Sequence, residues 1–197
     1  MMRAEIVILK AMRRPKKERG LVISRPNAYM SEGHMKMADH DLVVMTDMSK
    51  LGHEDWVMVT AYYAMYQAAT SLLSRIGLES KDHATTASVL EYFFGEHISS
   101  EMIAKFNELK ERKDMIEVLT IGDEHIDYLW KAKHAREAVQ YGISMSFKET
   151  SLAMANARAF VSRLKVVNSE LDDRIVEVIR KRITEMKDAS ANPGQMR

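Results

Sequence analysis

The sequence predicts an all-α protein, an antiparallel up-and-down bundle of four to five core helices with flanking helices. Only 8 glycines and 3 prolines interrupt the 197 residues, which is too few turn signals for an all-β fold. Apolar residues make up 46% of the chain, and in several segments they recur at three- and four-residue steps. A chain of this length suits one domain with a sizeable core.

The first 26 residues differ from the rest because they carry the dense basic run "RRPKKER". We expect a lead-in segment here, with a short strand at Ile6 to Leu9 in the β-branched run "IVIL". The cations from Arg13 to Arg19 either contact nucleic-acid phosphates or form a solvated lead-in. The chain then divides into a helical bundle (27–167), a C-terminal helix (168–187) and a flexible tail (188–197).

Helix boundaries in the bundle follow from caps and glycines. Asn27 is a predicted N-cap, and Gly77 and Gly95 follow helix ends. The predicted helices cover about Asn27–Met48, Asp55–Ile76, Asp82–Phe94, Ser99–Met115, the segment between Gly122 and Gly142, Phe147–Val167 and Leu171–Met186. The first of these has a periodic stripe at Met30, His34, Met37, Val44 and Met48. The last has one at Leu171, Ile175, Val178, Ile179, Ile183 and Met186, which predicts docking on the body or on another subunit.

The second of these helices is rich in aromatic residues and alanine, "WVMVTAYYAMYQAATSLLSRI". Such a cluster is either the wall of a ligand pocket or part of a hydrophobic core. Because the helix is apolar almost all round, the pattern favours the central helix of a bundle. His83 repeats with apolar residues on the next helix, which favours a hydrogen-bonded histidine of the core or one that locks a loop over a catalytic histidine.

Composition excludes several functions. The formal charge of +1 gives no global attraction to nucleic acid or to anionic membranes. There is no cysteine, so thiolate metal sites and cysteine nucleophiles are excluded. The chain has no Glu-x-x-His pair for a metal site inside a bundle, and we expect no metal and no cofactor. No apolar run approaches the roughly 20 residues that span a bilayer, so the sequence predicts a cytoplasmic protein without membrane contact.

Three segments together resemble the HEPN family, the higher eukaryote and prokaryote nucleotide-binding domains. They are "WVMVTAYYAMYQAATSLLSRIGLESKDHATTASVLEYFF", "AREAVQYG" and "SLAMANARAFVSRLKV", and the resemblance covers about Ser31 to Val167. It is greatest to the small prokaryotic stand-alone branch, with Tyr-Tyr-Ala in the central helix, a Gly-x-x-x-Lys-x-His loop and a late Arg-x-x-x-x-Tyr. The resemblance implies a bundle that forms a homodimer and is often encoded beside a minimal nucleotidyltransferase. Relatives include metal-independent RNases and toxins, and others that have lost catalysis and bind RNA, nucleotide or a partner protein.

The family's nuclease signature is an arginine followed, after four to six residues, by a histidine. Arg136 matches the arginine, but Tyr141 stands at the histidine position. A general base must take the proton of the ribose 2′-hydroxyl, and tyrosine titrates about three pKa units above histidine, a difference of about 4 kcal/mol. Arg136 can still clamp a phosphate and Tyr141 can donate a hydrogen bond to it. Together with the adjacent Gln140, these residues are the predicted ligand-binding site, and they are the catalytic candidates if the protein is a nuclease.

Two other histidines lie near this motif. His134 precedes Arg136 by two residues and is about 200° away around a helix. His125 lies on nearly the same face but about 16 Å away along the axis. Neither is placed to act with Arg136 in one chain, whereas a histidine of a second subunit could be.

Three functions follow from the sequence. The first is a HEPN-like dimer that binds a nucleotide or RNA phosphate, or serves as the partner of a minimal nucleotidyltransferase, with little or no catalysis. The alternative is a metal-independent endoribonuclease of the kind found in toxin–antitoxin systems. The third is a structural dimerisation module, in which Arg136 forms an ion pair at the interface. The tyrosine at position 141 favours a protein that is not an enzyme.

Overall fold

The computed structural model describes residues 2–14, 18, 20–80, 82–120 and 147–191, and within them the chain forms seven helices and one two-stranded sheet. The helices are α1 (Met2–Arg13), α2 (Ala28–Lys50), α3 (Glu54–Arg75), α4 (His83–Phe94), α5 (Ser100–Thr120), α6 (Phe147–Glu170) and α7 (Asp173–Ala191). The strands are β1 (Leu21–Ile23) and β2 (Leu78–Ser80). The prediction of an all-α bundle is confirmed. The helix predicted between Gly122 and Gly142 lies outside the described residues.

The central helix is α3, which α2, α5 and α6 surround. Most of its apolar side chains are buried, so most of the aromatic and alanine-rich cluster belongs to the core, as the sequence predicts. Trp56 and Tyr63 are the exceptions, because both are exposed. Phe106 of α5 and Phe160 of α6 are both fully buried and stack on each other with ring centroids 5.3 Å apart. Burial of aromatic surface from three helices makes this layer the centre of the bundle.

Polar contacts between the helices establish their directions. Ser31 near the start of α2 is hydrogen-bonded to Ser71 near the end of α3, with 3.0 Å between the hydroxyls, so these helices run antiparallel. Asn168 at the end of α6 donates to both hydroxyls, so α6 also runs antiparallel to α2. Arg112 of α5 pairs with Glu149 of α6 at 3.1 Å. That pair joins the later part of α5 to the start of α6.

The helix ends follow local chemistry that the sequence predicts. The Asn27 side chain accepts a hydrogen bond from the Met30 backbone and caps α2. Asp82 caps α4 in the same way, through the Thr85 backbone. Gly77, just after α3, has φ +73°, a left-handed conformation that glycine adopts at little cost.

The predicted strand at Ile6 to Leu9 is wrong, because these residues belong to α1. The buried residues of this segment, Ala4, Ile8 and Ala11, recur at steps of four and three, whereas a strand would bury every second residue. α1 packs against α4 and α7. The strand of the lead-in segment is instead β1, which pairs antiparallel with β2 so that Val22 faces Glu79.

The C-terminal helix α7 docks on the body through α1. Its buried residues include Val176, Ile183 and Met186, but Ile175 and Val178 of the predicted stripe are exposed. Leu171 is buried but precedes the helix, which begins only at Asp173, and within the first turn of the helix Val176 takes the inward position. α7 also continues to Ala191, into the segment 188–197 that the sequence suggests as a tail.

Candidate functional site

The residues with the clearest chemistry in the sequence lie outside the described residues. Arg136, Gln140 and Tyr141 are all within residues 121–146, as are His125 and His134. The geometry that can be described is that of the Tyr-Tyr-Ala and Lys-x-His motifs and of the helices around them.

Tyr62 is the centre of an aromatic cluster between α3, α4 and α5. It is 4% exposed, and its ring stacks on Phe106 with centroids 5.9 Å apart and planes at 12°. The Tyr63 ring meets the Tyr62 ring edge to face, with centroids 5.4 Å apart. The Tyr66 ring stacks on the Tyr62 ring, with centroids 5.9 Å apart. A buried tyrosine needs a partner for its hydroxyl, and the partner here is His83.

His83 joins three helices through both ring nitrogens. Its Nδ1 is 3.3 Å from the Tyr62 hydroxyl, and its Nε2 is 2.8 Å from Asn107 Oδ1 on α5. Because an amide oxygen only accepts, Nε2 carries a proton, and in the neutral ring Nδ1 then accepts from the tyrosine hydroxyl. The neutral imidazole is therefore the Nε2–H tautomer, and its two contacts agree with the prediction of a hydrogen-bonded histidine.

The surroundings of His83 favour its neutral form. Burial lowers the pKa of the imidazole below its ordinary value, and the charge of Lys110 acts in the same direction. The hydrogen bond to Asn107 and the carboxylates of Asp114 and Asp82 oppose this effect on the pKa. A neutral ring with both nitrogens engaged positions the loop before α4, and it offers no lone pair to a substrate proton.

Lys113 of α5 places a cation against the tyrosines. The residue is only 8% exposed, and its Nζ lies 5.5 Å from the centroid of the Tyr62 ring and 5.3 Å from that of Tyr63. Ammonium groups at this distance are attracted to the ring face, more strongly where water is excluded. Its Nζ also lies 3.8 Å from a carboxylate oxygen of Asp114, so the buried cation is compensated by a carboxylate and two ring faces and stabilises the contact between α3 and α5.

A separate groove of about 420 Å³ opens where the sheet meets the start of α2. Arg25, His34 and Glu79 are among the residues that line it, together with several hydroxyl groups. The carboxylate of Glu79 offsets the charge of Arg25, so the groove does not select for anions.

Two of these functional groups were not identified from the sequence. Lys113 follows Ile103, Phe106 and Leu109 at steps of three and four, so helical periodicity alone could have placed this lysine on the buried face. Asn107 has no comparable signal, because its role depends on the distance between α4 and α5. Among the described residues, no group of three His, Asp or Glu side chains is placed to hold a metal ion.

The family comparison agrees with the motifs. A family model described as the HEPN domain matches residues 31–167, which include most of α2, all of α3 to α5 and most of α6. A search of the curated proteins finds no match to the chain. None of the helices in the described ranges combines the length and apolar character that crossing a membrane needs.

Proposed function

Because the chain belongs to the HEPN domain family, we propose that it binds a phosphate-bearing ligand, a nucleotide or RNA, through Arg136, Gln140 and Tyr141, and that it acts as a homodimer with little or no catalysis. The observation that carries this proposal is the tyrosine at position 141, within the matched segment. A phenol that titrates about three pKa units above imidazole is a poor base at neutral pH. It remains a good hydrogen-bond donor to phosphate.

The described geometry supports binding over cleavage. His83 lies in the matched region, beside the aromatic cluster, but both of its ring nitrogens are engaged. It therefore cannot replace the missing histidine without breaking the contact between α3 and α5.

Ligand binding is tested by fluorescence anisotropy with labelled single-stranded RNA and with a fluorescent ATP analogue. Arg136→Ala should weaken binding by about tenfold to a hundredfold, since charged hydrogen bonds contribute about 1.5–3 kcal/mol. Arg174→Ala is the matched control. Arg174 is an exposed arginine of α7 outside the matched segment, so its loss should leave the affinity unchanged. Equal loss in both variants, or no binding by the wild type, would refute the proposed site.

Catalysis is tested by incubating RNA with the protein in EDTA. The wild type should be nearly inert, whereas Tyr141→His should gain cleavage that falls below about pH 6 as the imidazole protonates. Arg136→Ala in that background should remove the gain. Robust cleavage by the wild type that survives Tyr141→Phe would show that the base lies elsewhere, and the protein would then be an endoribonuclease.

A further inference from the structure

Two lines of side chains run along the outer surface of α2 and α3. On α2 they are positions 30, 34, 37, 41, 44 and 48, and on α3 positions 56, 60, 63, 67 and 70. Alternating steps of four and three residues keep such positions on one side of a helix. The two lines are adjacent, because His34 Nδ1 is 2.8 Å from Gln67 Oε1. We call this surface the α2–α3 face.

The α2–α3 face exposes large apolar side chains. Met30 is 46% exposed, Met37 51%, Trp56 52% and Tyr63 38%. The core side of α2 is formed instead by Ser31, Met35, Ala38 and Met45, so the periodic stripe of the sequence is not the buried one. Large apolar residues grouped on one face mark an interaction surface, and methionine adapts well to a second packed surface.

Two polar residues interrupt the apolar line of α2, and neither is fully satisfied within the described residues. His34 has its Nδ1 at Gln67, and its Nε2 makes no hydrogen bond there. Asp41 is half-buried and forms no hydrogen bond or ion pair with a described residue. Burial raises the pKa of Asp41, and the charge of the neighbouring His40 acts in the opposite direction. A half-buried carboxylate of this kind is stabilised when a donor is brought to it.

The spacing of these two residues is self-complementary. His34 and Asp41 lie at nearly equal distances on either side of Met37 and Ala38. If two copies of α2 pack antiparallel with their crossing point between residues 37 and 39, position 34 of one copy and position 41 of the other lie within one turn of each other, about 5 Å as measured along the helix axis. The same pair then forms twice, once on each side of the two-fold axis.

We propose that two copies of this chain associate through the α2–α3 face, with their α2 helices antiparallel about a two-fold axis near Met37, so that His34 of each copy lies against Asp41 of the other. This rests on the homodimer of the proposed function and names its interface. Met37, Trp56 and Tyr63 form its apolar centre. The two His34–Asp41 pairs fix the direction and register of the helices, as charges flanking an apolar seam do in coiled coils.

A second copy fits this face better than an unrelated protein does. The face itself carries both the donor and the acceptor that the pairing needs. A two-fold axis brings the donor of one copy opposite the acceptor of the other. An unrelated partner would have to supply a carboxylate and a donor of its own at matching distances. An isologous contact needs no residue beyond those already on the face.

The interface is tested on the full chain by light scattering after size exclusion and by sedimentation. Met37→Asp should raise the dimer dissociation constant by about a hundredfold or more, because two unpaired carboxylates would be buried. Val178→Asp is the matched control, since Val178 is an equally helical apolar residue, 70% exposed on α7, and this variant should remain dimeric. A dimer that persists in Met37→Asp would overturn this interface and leave the homodimer itself intact. A wild type that stays monomeric at every concentration would overturn both and leave the face to a different protein.

Charge exchange tests the register. His34→Glu should weaken the dimer by placing a carboxylate against Asp41 of the other copy, and Asp41→Lys should weaken it by placing an ammonium against His34. The double variant restores two opposite-charge pairs and should recover most of the affinity, with circular dichroism confirming that each variant is folded. A double variant weaker than both singles would overturn the antiparallel arrangement. RNA and nucleotide binding are measured separately, so failure of the interface is distinguishable from failure of the ligand site.

Discussion

The helical bundle and the layer outside it share one apolar core but differ in the polar contacts that accompany it. In the bundle, α3 is buried against α2, α5 and α6, mostly through apolar and aromatic side chains. The outer layer, formed by α1, β1 and α7, also buries apolar side chains such as Ile8 and Ile183, but arginine side chains add a second kind of contact to its neighbours. The family match covers the bundle and excludes these three elements.

Arginine contacts in the outer layer are made largely to backbone carbonyls and to one tyrosine. Arg182 of α7 donates to the Tyr92 hydroxyl of α4 at 2.7 Å and to Glu5 of α1 at 3.1 Å. Arg180 donates to the carbonyl of Gly77 at 3.2 Å. Such contacts are partly exposed and contribute less than buried aromatic surface does. We therefore expect the outer layer to open at a lower free energy than the bundle.

The largest effect should come from the bundle core. Phe160→Ala removes a fully buried ring that stacks on Phe106, and it should lower the free energy of unfolding by about 3–5 kcal/mol in urea titration. Leu152→Ala, on the same helix but 55% exposed, is the control and should change it by about 0.5 kcal/mol or less. Similar losses in the two variants would contradict the distinction between core and surface in α6.

The next effect should come from Gly77, where the two regions meet. An alanine Cβ there would lie 2.7 Å from the Ser24 carbonyl oxygen and 2.8 Å from the Pro26 nitrogen, both backbone atoms. Gly52 is the matched control, because its φ of +75° is nearly the same and nothing lies within 4 Å of the added carbon. Gly52→Ala should destabilise by about 1 kcal/mol from backbone strain, and Gly77→Ala by about 2 kcal/mol or more. Equal losses would mean that the close approach of the lead-in segment has no energetic consequence.

Most of the bundle could be predicted from the sequence because its signals are local. The cap at Asn27, the break at Gly77 and the apolar α3 all depend on residues close together in the chain. The outer layer was harder to predict. The run from Ile6 to Leu9 has β-branched residues typical of a strand, but packing of α1 against α4 and α7 made it helical, and no local pattern reveals that contact.

The candidate site was predictable only in part. The role of His83 followed from its apolar helical repeat, whereas its partners Tyr62 and Asn107 depend on how α3 and α5 pack. Lys113 falls on the apolar repeat of α5, but its charge argues against a buried position until its aromatic neighbours are known. Position 141 lies outside the described residues, and the proposal of binding over cleavage rests there on the chemistry of one residue type, a tyrosine in place of a histidine.

A smaller effect is expected at the arginine contacts of the outer layer. Arg182→Ala removes the hydrogen bonds to Tyr92 and Glu5, and it should lower the stability of α1 and α7 by about 1 kcal/mol. Hydrogen exchange should show faster exchange in these two helices and unchanged protection in α3. Arg174→Ala, which removes an exposed arginine of the same helix, is the control. Equal loss of protection in α3 would mean that the outer layer and the bundle unfold as one unit.

The smallest effect should be the contribution of His83, in the bundle, to the pH dependence of the free energy of unfolding. The pKa of His83 is lowered in the folded protein, mainly by burial, whereas in the unfolded chain it is about 6.5. As the pH falls below about 6.5, His83 becomes protonated in the unfolded chain while it is still neutral in the folded protein. The free energy of unfolding therefore decreases until the pH reaches the pKa of His83 in the folded protein. His83→Gln keeps an acceptor for Tyr62 and a donor for Asn107 but cannot titrate, so urea titrations between pH 7.5 and pH 5 should show a shallower loss of stability than in the wild type. An identical slope in the two proteins would show that the contact between α3, α4 and α5 does not depend on a neutral imidazole.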